Sequence, residues 1–202
     1  MPILGVTGGV ATGKTSFTKA LLRFIPAEAF DADAAARKLL TSNQKVRQAV
    51  RGQFGDSVFS TEGALDRAKL REIVFKDLSK RRELEAILHP LIRNEWIGRA
   101  EKVRASGETR WLIVDIPLLF ETRAEGYFDA VVVVACSPAT QRQRLITLRN
   151  LTASMAEQMI ASQLDLKVKT ERADHVIWND STPACLEEQT ALFSDYLKNR
   201  FS

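Results

Sequence analysis

The chain has 202 residues, 45% of them hydrophobic and 27% charged, with 29 Lys and Arg against 25 Asp and Glu for a net charge of +4. That length suits one compact domain with a small insertion, and the apolar share excludes a disordered segment. The mild positive balance suits an anionic small molecule, no basic run marks a nucleic-acid binder, and no window approaches the ~20 apolar residues of a membrane span.

The opening MPILGVTGG lacks the basic n-region of a signal peptide. Cys136 and Cys185 form neither a CxxC nor a metal-ligand spacing. Cys136 follows the apolar run 131–135 and reads as a core thiol. A reduced, cytoplasmic setting is the resulting expectation.

In chain order, Ile3–Val6 reads as a buried strand ending in glycines. A helix follows over 15–24, with Phe17, Leu21, Leu22 and Phe24 at helical spacing. Ala29–Phe30 opens a second strand, cut off by Asp31, and 34–40 reads as a helix. Segments 45–54, 65–75 and 78–104 then read as one unbroken helical stretch, an insertion on an α/β core. WLIVD (111–115) and AVVVVA (130–135) have the uniform apolar character of parallel strands buried on both faces. Pro138 starts a helix bearing Gln141, Arg142, Arg144 and Leu145. Another helix covers 154–164, capped by Thr152 or Ser154. HVIW (175–178) is the last strand, and 183–200 the closing helix. Strands alternating with helices predict an α/β three-layer fold with a five-stranded parallel sheet. Ligands in such sheets lie at the carboxyl ends of the strands.

Gly8-Gly9-Val10-Ala11-Thr12-Gly13-Lys14-Thr15 matches G-x-x-x-x-G-K-[ST] between a strand and a helix. The glycines let backbone N–H groups curl round a phosphate, and the helix N-terminus adds partial positive charge. Lys14 then bridges the β- and γ-phosphates, and Thr15 offers its hydroxyl to Mg²⁺. The pattern serves switches, motors and kinases alike. Asp31 and Asp33 follow the second strand. Two acids at this spacing can share the work, one orienting an acceptor hydroxyl and taking its proton and the other turned towards Mg²⁺, and either can instead cap the next helix, Asp31 more readily than Asp33. Asp115, ending WLIVD, occupies the usual place of an acid that holds Mg²⁺. Arg142, Arg144 and Arg149 are either charge-neutralising residues of a mobile segment or a solvated basic face. His89-Pro90, with Arg93 one turn on, is either a surface feature or part of an acceptor site.

Together these residues resemble the dephospho-CoA kinase family nearly end to end. The matching runs are Gly5–Thr15, FDADAAAR (30–37), LEAILHPLIR (84–93), DIPLLFE (115–121), QRQRL (141–145) with Arg149, ASQ (161–163) and ERADHVIWND (171–180). The resemblance implies transfer of the ATP γ-phosphate to the ribose 3′-hydroxyl of dephospho-CoA, giving coenzyme A and ADP. It implies a P-loop NTPase-type core (1–36 and 108–202), a helical acceptor-binding subdomain (37–107) and a helical lid (141–170). By position, Asp33, Lys14 and Arg144 are the catalytic residues. Gly8, Gly9, Val10, Ala11, Thr12, Gly13, Lys14, Thr15 and Ser16 bind nucleotide with Arg144, Arg149 and Asn179, the last near the adenine. Asp33, Arg37, His89, Arg93, Leu118 and Glu121 bind the acceptor, and Thr15 and Asp115 hold Mg²⁺. The partners are ATP and dephospho-CoA, with neither nucleic acid nor membrane, and the expected state is a monomer or weak homo-oligomer.

Some positions depart from the family pattern. Ala11 and Thr12 stand where Gly and Ser are usual, and the Cβ of Ala11 predicts a loop that avoids positive φ there. Met159 replaces a common lid arginine, and Trp178 and Asp180 flank Asn179 unusually. A nucleoside or nucleotide kinase shares the core, but His89-Pro90 and PLLFE argue against it. A GTPase would carry a late N-K-x-D, which is absent.

Overall fold

The computed structural model describes residues 2–105 and 110–201. Among them are five strands and nine α-helices: β1 (Ile3–Gly8), α1 (Lys14–Phe24), β2 (Ala27–Asp31), α2 (Ala32–Ser42), α3 (Gln44–Phe54), α4 (Arg67–Lys76), α5 (Leu78–Ala105), β3 (Trp111–Asp115), β4 (Ala130–Ala135), α6 (Pro138–Arg149), α7 (Ala153–Ala161), α8 (Leu166–Arg172), β5 (His175–Trp178) and α9 (Pro183–Arg200). They form two compact units: Met1–Asp31 with Ala100–Ser202, and Ala32–Arg99. The expected return to the core at 107–108 lies outside the described residues.

The first unit is a parallel α/β fold with strand order β2-β3-β1-β4-β5. β1 and β4 are buried along their whole length, which is why their sequences show no polar alternation. Pleating divides β4 between two cores. Val132 and Val134 join Leu4, Val6, Phe17 and Phe193 in one cluster, while Val131 and Val133 join Leu119 and Phe120 in another, against which Leu164 and Leu166 pack. Each fully buried valine contributes roughly 1.5–3 kcal/mol relative to exposure. Cys136 is a buried free thiol, as its apolar run predicts. β1 lies between β3 and β4, so the chain leaves the sheet centre in opposite directions on its two sides. That opens a crevice beyond the carboxyl end of β1.

Helix starts follow local chemistry. Thr152 rather than Ser154 caps α7, accepting from Met155 N. Ser137 and Thr182 cap α6 and α9 ahead of Pro138 and Pro183. Two features differ from the sequence expectation. The helical stretch over 45–104 is broken, because Gly55 (φ 75°) ends α3, Phe59 and Leu65 form an isolated bridge, and Asp66 caps α4. The seven-residue α8 is additional. It is too short to show periodicity, and Asp165 starts it by accepting from Lys167 N.

Buried apolar residues of the helical unit include Val46, Val50, Val58, Leu70, Ile92 and Trp96. Its surface carries ion pairs along the helices, among them Lys80–Glu83, Arg81–Glu85 and Arg99–Glu95. Among the described residues, no helix is long and apolar enough to cross a membrane.

Candidate active site

The loop between β1 and α1 is shaped by three residues with positive φ: Gly8 (149°), Ala11 (59°) and Gly13 (98°). Ala11 corrects the sequence expectation. It adopts the left-handed conformation despite its Cβ, at a cost on the order of 1–2 kcal/mol, because the turn requires that conformation there and the surroundings enforce it. At Gly13 a side chain is excluded twice over, since φ is left-handed and a Cβ would run into Asn179 Nδ2. The start of α1 has no side-chain cap and no acidic residue in its first turn. Its N-terminus is thereby suited to an anion. Lys14 and Thr15 occupy that first turn, followed by the exposed Ser16, and Lys14 Nζ folds back to donate to Gly9 O (2.9 Å) and Gly8 O (3.4 Å).

Side chains from later elements hold the loop from outside. Gln141 Nε2 on α6 donates to Val10 O (2.8 Å), and Gln163 Oε1 accepts from Val10 N (2.8 Å). Asn179 Nδ2 donates to Thr12 O (2.8 Å), and Thr12 Oγ1 donates to Gly9 O (2.9 Å). Arg144 Nη2 donates to Asn179 O (2.9 Å), with Nη1 at 3.4 Å from Thr12 O. Arg144 and Asn179 are thus brought to the phosphate loop itself. Arg149 is exposed in the last turn of α6, just before Asn150 closes the helix in a left-handed conformation.

The acids lie at neighbouring strand ends. Asp31 ends β2 and pairs in register with Asp115 at the end of β3, and Asp115 in turn faces Val6 of β1. Asp33 sits inside the first turn of α2, exposed, rather than ahead of that helix as a cap. Arg37 is also exposed, one turn further on. Asp33, Arg37, His89 and Arg93 belong to the helical unit. His89 is half-buried on α5, and burial, chiefly, holds its pKa below the usual 6.5. Glu85 opposes that shift, while Arg93 and Arg81 reinforce it.

After β3, Leu118 is half-buried and Glu121 Oε1 is engaged twice, by Lys169 Nζ (2.8 Å) and by Leu164 N (2.9 Å). Lys169 is fully buried and also donates to Pro117 O (3.0 Å). Gln141, Gln163 and Lys169 received no site role from the sequence. The one signal for Gln163 was its place in the ASQ run.

A phosphate loop, a parallel sheet in this order and carboxylates at the two strand ends beside it define a P-loop nucleotide-binding protein. Comparison with known proteins sharpens that class. The profile of the dephospho-CoA kinase family matches residues 2–184. A dephospho-CoA kinase of Listeria monocytogenes is 35% identical over 198 residues, covering 98% of each chain. A solved structure from Thermus thermophilus is 26% identical, with a TM-score of 0.78 over 98% of this chain and 97% of that one. The dephospho-CoA kinase of Campylobacter jejuni shares the fold at a TM-score of 0.71 and 23% identity, over 99% and 98% of the chains. This chain belongs to the dephospho-CoA kinase family. It is a kinase of the final step of coenzyme A biosynthesis.

Proposed function

We propose that this chain moves the γ-phosphoryl group of Mg²⁺-ATP to the ribose 3′-hydroxyl of dephospho-CoA, with Asp33 as the base. The observation that carries the reading is the loop Gly8–Thr15, held rigid from outside and opening on an uncapped helix N-terminus. That arrangement presents backbone N–H groups to a polyphosphate. The hydroxyl oxygen attacks the γ-phosphorus, the bond to the β–γ bridging oxygen breaks, and the hydroxyl proton passes to Asp33. Lys14, Arg144 and Arg149 offset the charge spread over the transferred group. Arg37, His89, Arg93 and Leu118 orient the acceptor from α2, α5 and the segment after β3. Glu121 serves that same segment. Asn179, fixed to the loop backbone, borders the nucleotide.

Thr15 and Asp115 supply a hydroxyl and a carboxylate, and Mg²⁺ takes hard oxygen donors, one or two from protein and the rest from phosphate and water. Among the described residues no cluster of three or more His, Cys, Asp or Glu could hold a metal alone. The donor chemistry therefore fits an ion shared with ATP. When bound, it neutralises charge on the β- and γ-phosphates. We place the enzyme in the cytoplasm, as a monomer or weak homo-oligomer.

The test is coenzyme A formation, read by mass, from Mg²⁺-ATP and dephospho-CoA. Asp33→Asn is expected to lower kcat by about 10²–10⁴-fold while Mg²⁺-ADP affinity stays within twofold. Full activity in that variant would remove Asp33 from its role, and wild type that phosphorylates a nucleoside instead would overturn the acceptor.

A further inference from the structure

Val10 is bound on both sides by side-chain amides. Its N–H goes to Gln163 Oε1 and its C=O to Gln141 Nε2, each at 2.8 Å. The two glutamines lie 131 and 153 residues along the chain from it. The next residue, Ala11, is the one forced into the left-handed region. Fixing the two peptide units that flank Val10 therefore sets the direction in which the following N–H groups turn towards a phosphate.

Gln163 is itself anchored. It lies between α7 and α8, and the adjacent Leu164 N donates to Glu121 Oε1. Glu121 is held by the fully buried Lys169, whose Nζ also donates to Pro117 O, two residues beyond Asp115. Pro117 O accepts from Thr7 Oγ1 as well (3.2 Å), at the end of β1. One continuous chain of polar contacts thus runs from the end of β1, through the segment after β3, to the α7–α8 segment and back to the phosphate loop. The mechanism above uses neither Gln163 nor Lys169.

We propose that Gln163 is a positioning residue for ATP. From a segment seated by the Glu121–Lys169 pair, it holds the Val10 N–H and makes the binding-ready shape of the phosphate loop depend on the seating of the α7–α8 segment. It touches the loop, not the reacting atoms. Its loss therefore acts on nucleotide affinity and leaves acceptor affinity alone.

The test uses Gln163→Met, which keeps the side-chain length and removes the acceptor. Three readouts are taken: KM for each substrate, the calorimetric Kd of Mg²⁺-ADP, and hydrogen exchange of the Val10 amide by NMR. KM for ATP and the ADP Kd are expected to rise on the order of tenfold, with KM for dephospho-CoA within twofold. Val10 N–H exchange is expected to rise on the order of tenfold while β1 amides keep their protection. Gln141→Met is expected to act in the same direction, and the double variant to fall short of the product of the singles, because the two amides hold adjoining peptide units of one residue. Glu121→Gln, which touches neither loop nor nucleotide, is expected to raise KM for ATP about threefold and to speed Val10 exchange. Unchanged ADP affinity and Val10 exchange in Gln163→Met would overturn the proposal. A Glu121→Gln effect confined to KM for dephospho-CoA would overturn the anchoring. The proposal rests on the ATP site described above. ADP affinity and amide exchange need no acceptor, so a failure of the acceptor assignment would show only as missing coenzyme A.

Discussion

The two units of this chain use charge in opposite ways. In the core unit, Lys169 is fully buried and committed to Glu121 and Pro117 O, and neutral amides hold the phosphate loop. In the helical unit, pairs such as Arg81–Glu85 and Arg99–Glu95 lie i to i+4 along α5 with a quarter or more of each side chain exposed. A buried pair is expensive to break but fixes geometry, whereas an exposed pair adds a few tenths of a kcal/mol and fixes little. The nucleotide end is accordingly built for precision. The helical unit buries apolar residues such as Val46, Val50 and Trp96 and leaves its ion pairs at the surface.

The largest expected effect tests that contrast directly. Lys169→Met strips the buried ammonium from Pro117 O and from Glu121, whose own side chain is 23% exposed, and should cost about 3 kcal/mol of stability. Lys76→Met removes the fully exposed Lys76–Glu72 pair of α4 and should leave the unfolding midpoint nearly unchanged. Thermal unfolding of both variants is the check, and comparable losses would erase the distinction between the units.

Gly13→Ala comes next. Its left-handed φ and the displacement of Asn179 from Thr12 O together cost roughly 2–4 kcal/mol. If borne at the loop, that weakens Mg²⁺-ADP binding on the order of a hundredfold, measurable by calorimetry. An alanine that binds ADP normally would show that Asn179 yields and that the loop is softer than its hydrogen bonds suggest.

The Gly8–Thr15 loop and the strands were legible because their signals are local: a fixed spacing of Gly and Lys, and apolar runs such as AVVVVA that only a doubly covered strand explains. Gln141, Gln163 and Lys169 were not, because their partners lie 131, 153 and 52 residues away and their neighbours look like ordinary helix surface. Ala11 departs from the sequence expectation for a related reason. The Cβ penalty is local and readable, while the polar contacts that override it come from α6 and the segment before α8.

That override predicts a modest gain. Ala11→Gly removes about 1–2 kcal/mol of left-handed strain and adds ~0.5–1 kcal/mol of backbone entropy cost, so stability should rise by up to ~1 kcal/mol. A higher unfolding midpoint with unchanged ADP affinity would show that the core unit stores strain at the loop and tolerates it. A lower midpoint would mean that the Ala11 methyl group contributes packing worth more than the strain.

The smallest effect compares the units through their two histidines. His89 on α5 and His175 on β5 both have pKa values lowered from 6.5. The cause is burial alone for His175, and burial reinforced by Arg93 and Arg81 against Glu85 for His89. In both, the unfolded chain binds the proton more tightly than the folded one. Their stabilising contribution is therefore complete above the unfolded pKa and is lost as pH falls below about 6.5, towards the lowered folded values. Unfolding midpoints between about pH 7.5 and 5.5 should fall less steeply in His89→Gln and in His175→Gln than in wild type. The histidine whose loss flattens the profile more identifies the unit that acid loosens first. If His89 carries that change, mild acid acts on the helical unit, and the acceptor role proposed for His89 predicts that KM for dephospho-CoA rises before KM for ATP does. If His175 carries it, the order reverses, because β5 leads directly into Asn179 and the phosphate loop.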